Sequence, residues 1–222
     1  MEPVSTVTET TTSSRPRKRG RPRKTEAARQ DTRELLCRAG VVALTEKGYC
    51  ATGIDEILST VGVPKGSFYN YFGSKEAFGA DVIAEYDRYF TRKIDRHLSD
   101  AAVPAVERIT AFCVDAEEGM QRHSFRRGCV IGNLGQEMNA LPEAYRAQII
   151  GVLDGWRERV AACLTTGKAN GEIPAWVDCR QSAEAFWIGW EGAVLHAKLH
   201  RSAEPLRTFR RFYVTGLGIS PK

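Results

Sequence analysis

The chain has 222 residues, 42% of them hydrophobic, which is enough for one large domain or two small ones. No run approaches the roughly 18 apolar residues of a membrane-spanning helix, and the N-terminal segment lacks the apolar stretch of a signal peptide, so we expect a cytoplasmic protein. Six cysteines without a CxxC pair argue against a zinc ribbon or a thioredoxin-like redox motif, and we expect free thiols.

The positive charge lies at the N-terminus. Residues 1–24 hold seven Lys or Arg and two Asp or Glu, so their net charge of +5 equals that of the whole chain. The Thr/Ser-rich start and the following RPRKRGRPRK run have little apolar surface to bury. The Pro and Gly residues of that run also prevent a helix. We therefore predict a disordered basic arm over residues 1–28. Such an arm typically binds along a polyanion such as nucleic acid.

Helical periodicity begins at Asp31, where Asp31 and Glu34 are spaced as a capping box, and the first predicted helix ends at Gly48. Thr52 is predicted to cap a short second helix that ends at Gly62.

Pro64 then opens a short third helix, with Phe68 and Phe72 on one face. Ser74 caps a long fourth helix that runs to about Leu98. Five further helices are predicted, separated by helix-breaking Pro, Gly and Asn residues, over residues 104–122, 127–138, 142–167, 178–199 and 205–217. No alternating pattern indicates a strand, so the predicted fold is all-α, with about nine helices.

The second and third helices have the pattern of a helix-turn-helix, whose second helix enters the major groove of DNA. Polar side chains there can contact bases and phosphates, and a glycine lets the backbone approach closely. The candidate DNA-binding residues are Thr52, Lys65, Gly66, Ser67, Tyr69, Asn70, Tyr71 and Lys75. The alternative is a small helical core without a DNA partner.

Residues 32–80, with TEKGYCATGIDEILSTVGVPKGSFYNYFGSKEAF, resemble the DNA-binding domain of TetR-family repressors. The resemblance implies a helix-turn-helix domain over 29–76 and a helical ligand-sensing and dimerisation domain over 77–222. It also implies a homodimer, whose two recognition helices read a pseudo-palindromic operator.

The predicted DNA-binding domain has almost no net charge, because residues 25–80 hold six Lys or Arg and seven Asp or Glu. The arm should therefore supply much of the electrostatic affinity. Arg19 and Arg21, within Arg-Gly-Arg-Pro, resemble an AT-hook core that lies in the minor groove. The alternative is a solvated tail that makes nonspecific phosphate contacts.

The segments GCVIGNLGQE, residues 128–137, and AKL, residues 197–199, resemble a narrower group, the electrophile-responsive and acrylate-responsive TetR-type repressors. The resemblance implies that Cys129 and Lys198 sense reactive small molecules. Nearby Arg126 and Arg127 and a helix N-terminus should favour the Cys129 thiolate. The alternative is that Cys129 is a small buried apolar residue and that the glycines around it only allow close helix packing.

Aromatic and polar residues on the C-terminal helices could line a ligand pocket, although a stripe at helical spacing also suits a core. These pocket candidates are Phe112, Met120, Asn133, Trp187, Trp190, Glu191 and Lys198. His196 and His200 have metal-ligand spacing but no compelling third ligand. Two apolar faces are predicted to form a four-helix dimer interface, and they comprise Ala183, Phe186, Trp190, Val194 and Ala197 together with Leu206, Phe209, Phe212 and Tyr213.

Together these patterns predict a ligand-released repressor that needs no cofactor. Its partners would be double-stranded operator DNA, a small-molecule inducer and a second copy of the chain, with no membrane. The alternatives are an activating or metal-responsive regulator on the same fold, a protein-interaction module, and an enzyme. An enzyme is disfavoured because no catalytic triad, carboxylate pair or nucleotide loop occurs at usable spacing.

Overall fold

The computed structural model describes residues 26–218. Within this range the chain forms nine α-helices, one 3₁₀ turn at Met138–Ala140 and no strand, which confirms the all-α prediction. The helices are α1 Glu26–Lys47, α2 Ile54–Val61, α3 Lys65–Phe72, α4 Lys75–Leu98, α5 Ala105–Arg122, α6 Val130–Gln136, α7 Glu143–Ala169, α8 Cys179–His200 and α9 Glu204–Gly216. Across the same residues, no helix combines the length and hydropathy that crossing a bilayer requires.

Helix α1 begins at Glu26, five residues before the predicted capping box at Asp31 and Glu34. The prediction was wrong here because the preceding segment, EAARQ, consists of good helix formers without a breaker, so the helix extends toward the N-terminus. Residues 26–28 thus belong to a helix rather than to the predicted arm. The rest of that arm, residues 1–25, lies outside the described range.

The ends of α2, α3 and α4 follow local turn chemistry. Gly62 ends α2 in the left-handed conformation, at φ 65°, and its N–H bonds to the Leu58 carbonyl. The Ser74 hydroxyl accepts a hydrogen bond from the Ala77 N–H at the start of α4, as predicted. Thr52 was wrongly predicted as a cap, because Gly53 occupies the cap position of α2.

Helices α4, α5, α7 and α8 enclose an aromatic core. The Phe90 and Trp156 ring centroids lie 4.5 Å apart, and those of Trp156 and Trp187 lie 5.1 Å apart. The Trp156 indole N–H donates to Asp87 Oδ1 at 2.9 Å, which satisfies its buried polar atom. This core fixes α4 and α8 relative to each other within the C-terminal half of the chain.

The face of α8 that was predicted to dimerise packs inside the protomer. Its residues Ala183, Phe186, Trp190, Val194 and Ala197 are buried, as are Leu206 and Tyr213 on α9. The spacing was right, but the apolar stripe fills the chain's own core. Phe212 of the predicted face is exposed, and with three further residues of α8 it forms an outward apolar set, which comprises Ile188, Leu195, Leu199 and Phe212.

Candidate DNA-binding face and ligand cavity

Helix α3 buries one face and presents the other. Phe68 and Phe72 are buried against Phe78, with centroids 5.3 and 4.8 Å from its ring. On the opposite side Lys65, Gly66, Tyr69 and Asn70 are exposed, while Ser67 and Tyr71 are half-buried. The Lys65 ammonium pairs with Asp55 of α2 at 2.8 Å, and this exposed pair is open to exchange for a phosphate. The geometry suits a recognition helix.

Two candidates on this side of the molecule are placed differently from the prediction. Thr52 is buried, and its hydroxyl donates to the Gly48 carbonyl at 2.5 Å, so it closes the α1–α2 loop rather than facing outward. The Lys75 ammonium donates to the Tyr49 carbonyl at 3.1 Å and lies 4.4 Å from the centre of the Tyr49 ring. Both residues therefore shape the loop. Arg19 and Arg21 lie outside the described residues.

A cavity of about 500 Å³ opens between α1, α4, α5, α8 and the segment before α6. Two of the predicted pocket residues, Met120 and Trp190, line it together with the predicted sensing residue Cys129. Two others, Phe112 and Trp187, are buried in the aromatic core behind it. Helix α1 supplies part of the wall through Val41, Val42 and Thr45, so a ligand here would touch the helix-turn-helix unit directly.

The cavity wall is rich in cations. It contains five Lys or Arg side chains and a single carboxylate, that of Glu85. The basic residues are Arg38, Arg92, Lys93, Arg122 and Arg127. Four of these cations pair with carboxylates that do not line the cavity, namely Arg38 with Glu34, Lys93 with Asp115, Arg122 with Glu118 and Arg127 with Glu46. Much of the positive charge at the wall is therefore compensated.

Cys129 sits at the N-terminal end of α6, as its N-cap rather than in its first turn. The predicted cations do not activate it: Arg127 pairs with Glu46 at 2.8 Å. Burial and the neighbouring Glu191 carboxylate instead raise the pKa of the Cys129 thiol well above its ordinary value. The expectation of a favoured thiolate was therefore wrong for this conformation, and the cysteine is a protonated thiol.

Glu191 reaches the start of α6 because Gly132 has no side chain. A Cβ atom at Gly132 would lie 2.1 Å from Glu191 Oε2 and 3.7 Å from the Cys129 Cβ. Burial raises the pKa of Glu191 to about 7, while its interaction with the Cys129 thiol lowers it. Tyr86 of α4 also contacts this thiol. The Glu191 carboxyl thus lies behind the cavity wall, against a thiol and a phenol that line the cavity.

The two other polar candidates, Asn133 and Lys198, turn away from the cavity toward the end of α1. The Asn133 amide donates to the Leu44 and Thr45 carbonyls at 2.9 and 3.0 Å. The Lys198 ammonium donates to the Thr45 carbonyl at 3.2 Å and to Asn133 Oδ1 at 3.3 Å. The Thr45 carbonyl lies in the last turn of α1, where carbonyls lack helical partners. The Leu44 carbonyl also accepts from the Gly48 N–H at 3.1 Å, so the Asn133 amide is its second donor.

Glu137, just beyond the end of α6, completes this connection and was missed by the sequence analysis. Its carboxylate accepts from the Tyr49 N–H at 3.1 Å and from the Cys50 N–H at 2.8 Å, both in the α1–α2 loop. We call Asn133, Glu137 and Lys198 with their α1-side partners the α6 latch. No local signal could reveal it, since the partners lie 65 to 153 positions apart.

The cavity residues on α4, which include Tyr86, Tyr89 and Phe90, were also missed as site residues. Their helical stripe was visible in the sequence, but it indicated only a core face. Within the described residues, no group of three or more His, Cys, Asp and Glu is placed to hold a metal ion. His196 and His200 stack on the exposed side of α8, with ring centroids 5.8 Å apart.

Known proteins match this arrangement over most of the chain. Residues 36–81 match the model for bacterial regulatory proteins of the tetR family, and residues 105–213 match the model for a tetracyclin repressor-like C-terminal domain. The transcriptional regulator AcuR of Cereibacter sphaeroides is 50% identical over 202 residues, which cover 89% of this chain and 92% of AcuR. The chain belongs to the TetR family of transcriptional regulators.

Two further relatives agree with this assignment. The HTH-type transcriptional repressor NemR of Escherichia coli is 31% identical over 176 residues, covering 79% of this chain and 88% of NemR. The crystal structure of a regulatory protein TetR from Rhodobacter sphaeroides is 51% identical with a TM-score of 0.79, covering 81% of this chain and 95% of that one. As a TetR-family protein, the chain is a transcriptional regulator and not an enzyme.

Proposed function

We propose that this regulator is a cytoplasmic homodimeric repressor that binds a pseudo-palindromic operator through α3. It leaves the operator when a reactive electrophile, or a small unsaturated carboxylate such as acrylate, acts in the cavity at Cys129. The division at residues 76–77 between the DNA-binding and sensing domains is part of this proposal, whereas the start of α1 at Glu26 replaces the predicted division at residues 28–29. Similarity to AcuR and NemR supports it at the level of the family.

The observation that carries the proposal is the placement of α6. One end of this helix starts at the cavity cysteine, and the other is joined to the α1–α2 loop through the α6 latch. A ligand that prefers one position of α6 therefore shifts the population of the DNA-binding geometry. The Lys and Arg side chains of the wall, whose ion pairs a ligand carboxylate could replace, support an anionic inducer, and the thiol that lines the cavity supports a covalent one.

The outward apolar set on α8 and α9 supports the dimer. Ile188, Leu199 and Phe212 are 71%, 69% and 78% exposed, which is unusual for such large side chains on neighbouring helices. A second copy would cover them in a four-helix arrangement. Sedimentation of wild type and of a double variant I188E/F212E checks this, since the variant should sediment as a monomer.

The arm is part of the proposal as well. Seven cations in residues 1–24 should add affinity that falls with salt, with greater benefit for operators with A/T-rich flanks if Arg19 and Arg21 enter the minor groove. Deleting residues 1–24 should flatten the salt dependence of operator binding. An equal loss on G/C-rich flanks would leave only nonspecific phosphate contacts.

The test begins by enriching genomic fragments on the purified protein to obtain the operator. Fluorescence anisotropy then follows release of that operator by acrylate and by neutral acrylamide. Wild type and the control Cys179→Ser should release DNA, while Cys129→Ser should bind DNA and ignore acrylamide. Lys198→Ala removes a contact of the α6 latch and not a cavity group, so it should change the acrylate concentration that releases DNA through the latch. If Cys129→Ser and Lys198→Ala both respond like wild type, the assignment of the sensing site is wrong.

A further inference from the structure

The polar cluster behind the cavity wall has unmet hydrogen-bonding capacity. Within the described part of the chain, Glu191 Oε1 and the Trp187 indole nitrogen are buried and have no hydrogen-bond partner. The two residues are one turn apart, on the same face of α8. A buried polar atom without a partner costs on the order of 1–3 kcal/mol, so such a pair indicates that another group completes the site.

Glu191 is also in place to act on the Cys129 thiol. Its Oε2 lies over Gly132, beside the cysteine, in space that any larger residue at position 132 would occupy. The Gly132 N–H and the Tyr86 hydroxyl face the same sulfur, and both favour its anionic form. The thiol therefore has a proton acceptor on one side and two donors that stabilise the sulfur once the proton has left.

We propose that Glu191 is the proton acceptor that allows the buried Cys129 thiol to add to α,β-unsaturated carbonyl compounds. This inference rests on the proposed function, because it requires Cys129 to react with an inducer. A buried, protonated cysteine needs a base that removes its proton, since the thiolate and not the thiol is the nucleophile. The inference assigns that role to Glu191.

The reaction is balanced without an oxidant or a metal. The Cys129 proton moves to the Glu191 carboxylate while the sulfur lone pair forms a bond to the β-carbon. The carbon–carbon π pair moves toward the carbonyl oxygen and gives an enolate. The proton on Glu191 then moves to the α-carbon, which leaves a thioether and restores the carboxylate.

The other titratable groups at this position are compatible with that role. Burial raises the pKa of the Tyr86 hydroxyl well above its ordinary value, so it stays protonated and donates. Burial lowers the pKa of Lys198, whose ammonium is bonded to Thr45 and Asn133. Burial raises the pKa of Glu191 to about 7, so its basic form accumulates near neutral pH, where a general base is most effective.

The test measures how fast acrylamide adds to Cys129 in the full-length protein between pH 5.5 and 9. Peptide mapping after quenching separates the Cys129 adduct from those at the other cysteines. The wild-type rate should rise with an inflexion near pH 7, the pKa of Glu191. Glu191→Gln should lose that inflexion and react about 100-fold more slowly at pH 7.5, at the low end of general-base effects.

A glycine pair supplies the matched control. Gly132→Ala keeps the Glu191 carboxylate but displaces it, whereas a Cβ at Gly135 meets nothing within 4 Å. Both changes raise helix propensity in α6 equally. Gly132→Ala should therefore slow the addition in the same direction as Glu191→Gln, and Gly135→Ala should react like wild type. Thermal melts verify that each variant is folded.

The outcomes separate the two proposals. If Glu191→Gln reacts as fast as wild type or faster, Glu191 restrains the thiol by charge repulsion and the inference is overturned. It is also overturned if Gly132→Ala and Gly135→Ala react at the same rate. If wild type forms no adduct at Cys129 while acrylamide still releases the operator, the proposed function fails at its sensing site.

Discussion

Helices α3 and α6 are both short, with eight and seven residues, but they are held in place in different ways. The aromatic side chains of α3 pack on Phe78, within ten residues along the chain, and its polar face is open. Helix α6 is held at both ends by residues from distant parts of the sequence. A helix with local support can present a surface, whereas a helix with remote support can transmit a change between two sites.

The largest expected effect is on the open face of α3. Replacing Ser67, Tyr69 and Asn70 together by Ala should abolish specific operator binding, since each base contact contributes about 1–3 kcal/mol. As single variants, the Ser67 and Asn70 changes should alter the preference for DNA sequence. Tyr69→Phe should weaken binding to all DNA sequences alike. Anisotropy with operator and scrambled DNA measures both. Glu143→Ala, an exposed position at the start of α7, is the control, and binding by the triple variant equal to that of the control would contradict the assignment.

The next effect concerns the buried end of α6 and depends on pH. The folded-state pKa of Glu191 is raised to about 7, so the folded protein holds a proton that the unfolded chain releases at lower pH. Wild-type stability should therefore fall, relative to Glu191→Gln, as pH rises from about 4.5 to 7, by up to about 3 kcal/mol. Above pH 7 the difference should be constant. Urea unfolding at pH 5 and pH 8 measures it, and parallel curves for the two proteins would argue against the raised pKa.

A smaller effect is expected at the other end of α6. Glu137→Ala leaves the Tyr49 and Cys50 N–H groups without their carboxylate, which should cost about 1–3 kcal/mol of unfolding free energy. Operator affinity should fall as well, because the α1–α2 loop positions α2 and α3. Glu118→Ala is the matched control, since the Glu118 side chain is exposed on α5 and has only a weak pair at 4.0 Å. Equal operator affinity in the two variants would show that the α6 latch does not position the DNA-binding helices.

The same contrast explains what could be predicted from the sequence. Gly62 and Ser74 terminate and cap helices through bonds to residues three or four positions away, so the helix-turn-helix could be predicted closely. The pocket was predicted less well: Cys129 and Trp190 line it, but Asn133 and Lys198 serve the latch. Whether a polar side chain faces a cavity or a helix end depends on packing between distant segments, which helical periodicity does not encode.

The face of α8 illustrates the same limit. Its apolar stripe was found at the correct spacing. The same sequence pattern, however, occurs on a face that packs in the chain's own core and on a face that packs against a partner. Phe186 and Trp190 pack inward, and Ile188 and Leu199 face outward. Only the three-dimensional arrangement of α7, α8 and α9 decides between them.

The central claim is that a change at Cys129 reaches the DNA-binding unit through α6. Amide hydrogen exchange at Tyr49 and Cys50 tests it most directly, because their N–H groups are held by Glu137 at the far end of that helix. Addition of acrylamide at Cys129 should accelerate exchange at these two amides in wild type and leave it unchanged in Cys129→Ser. Release of the operator by a Cys129 adduct, with exchange at Tyr49 and Cys50 unaltered, would contradict the account.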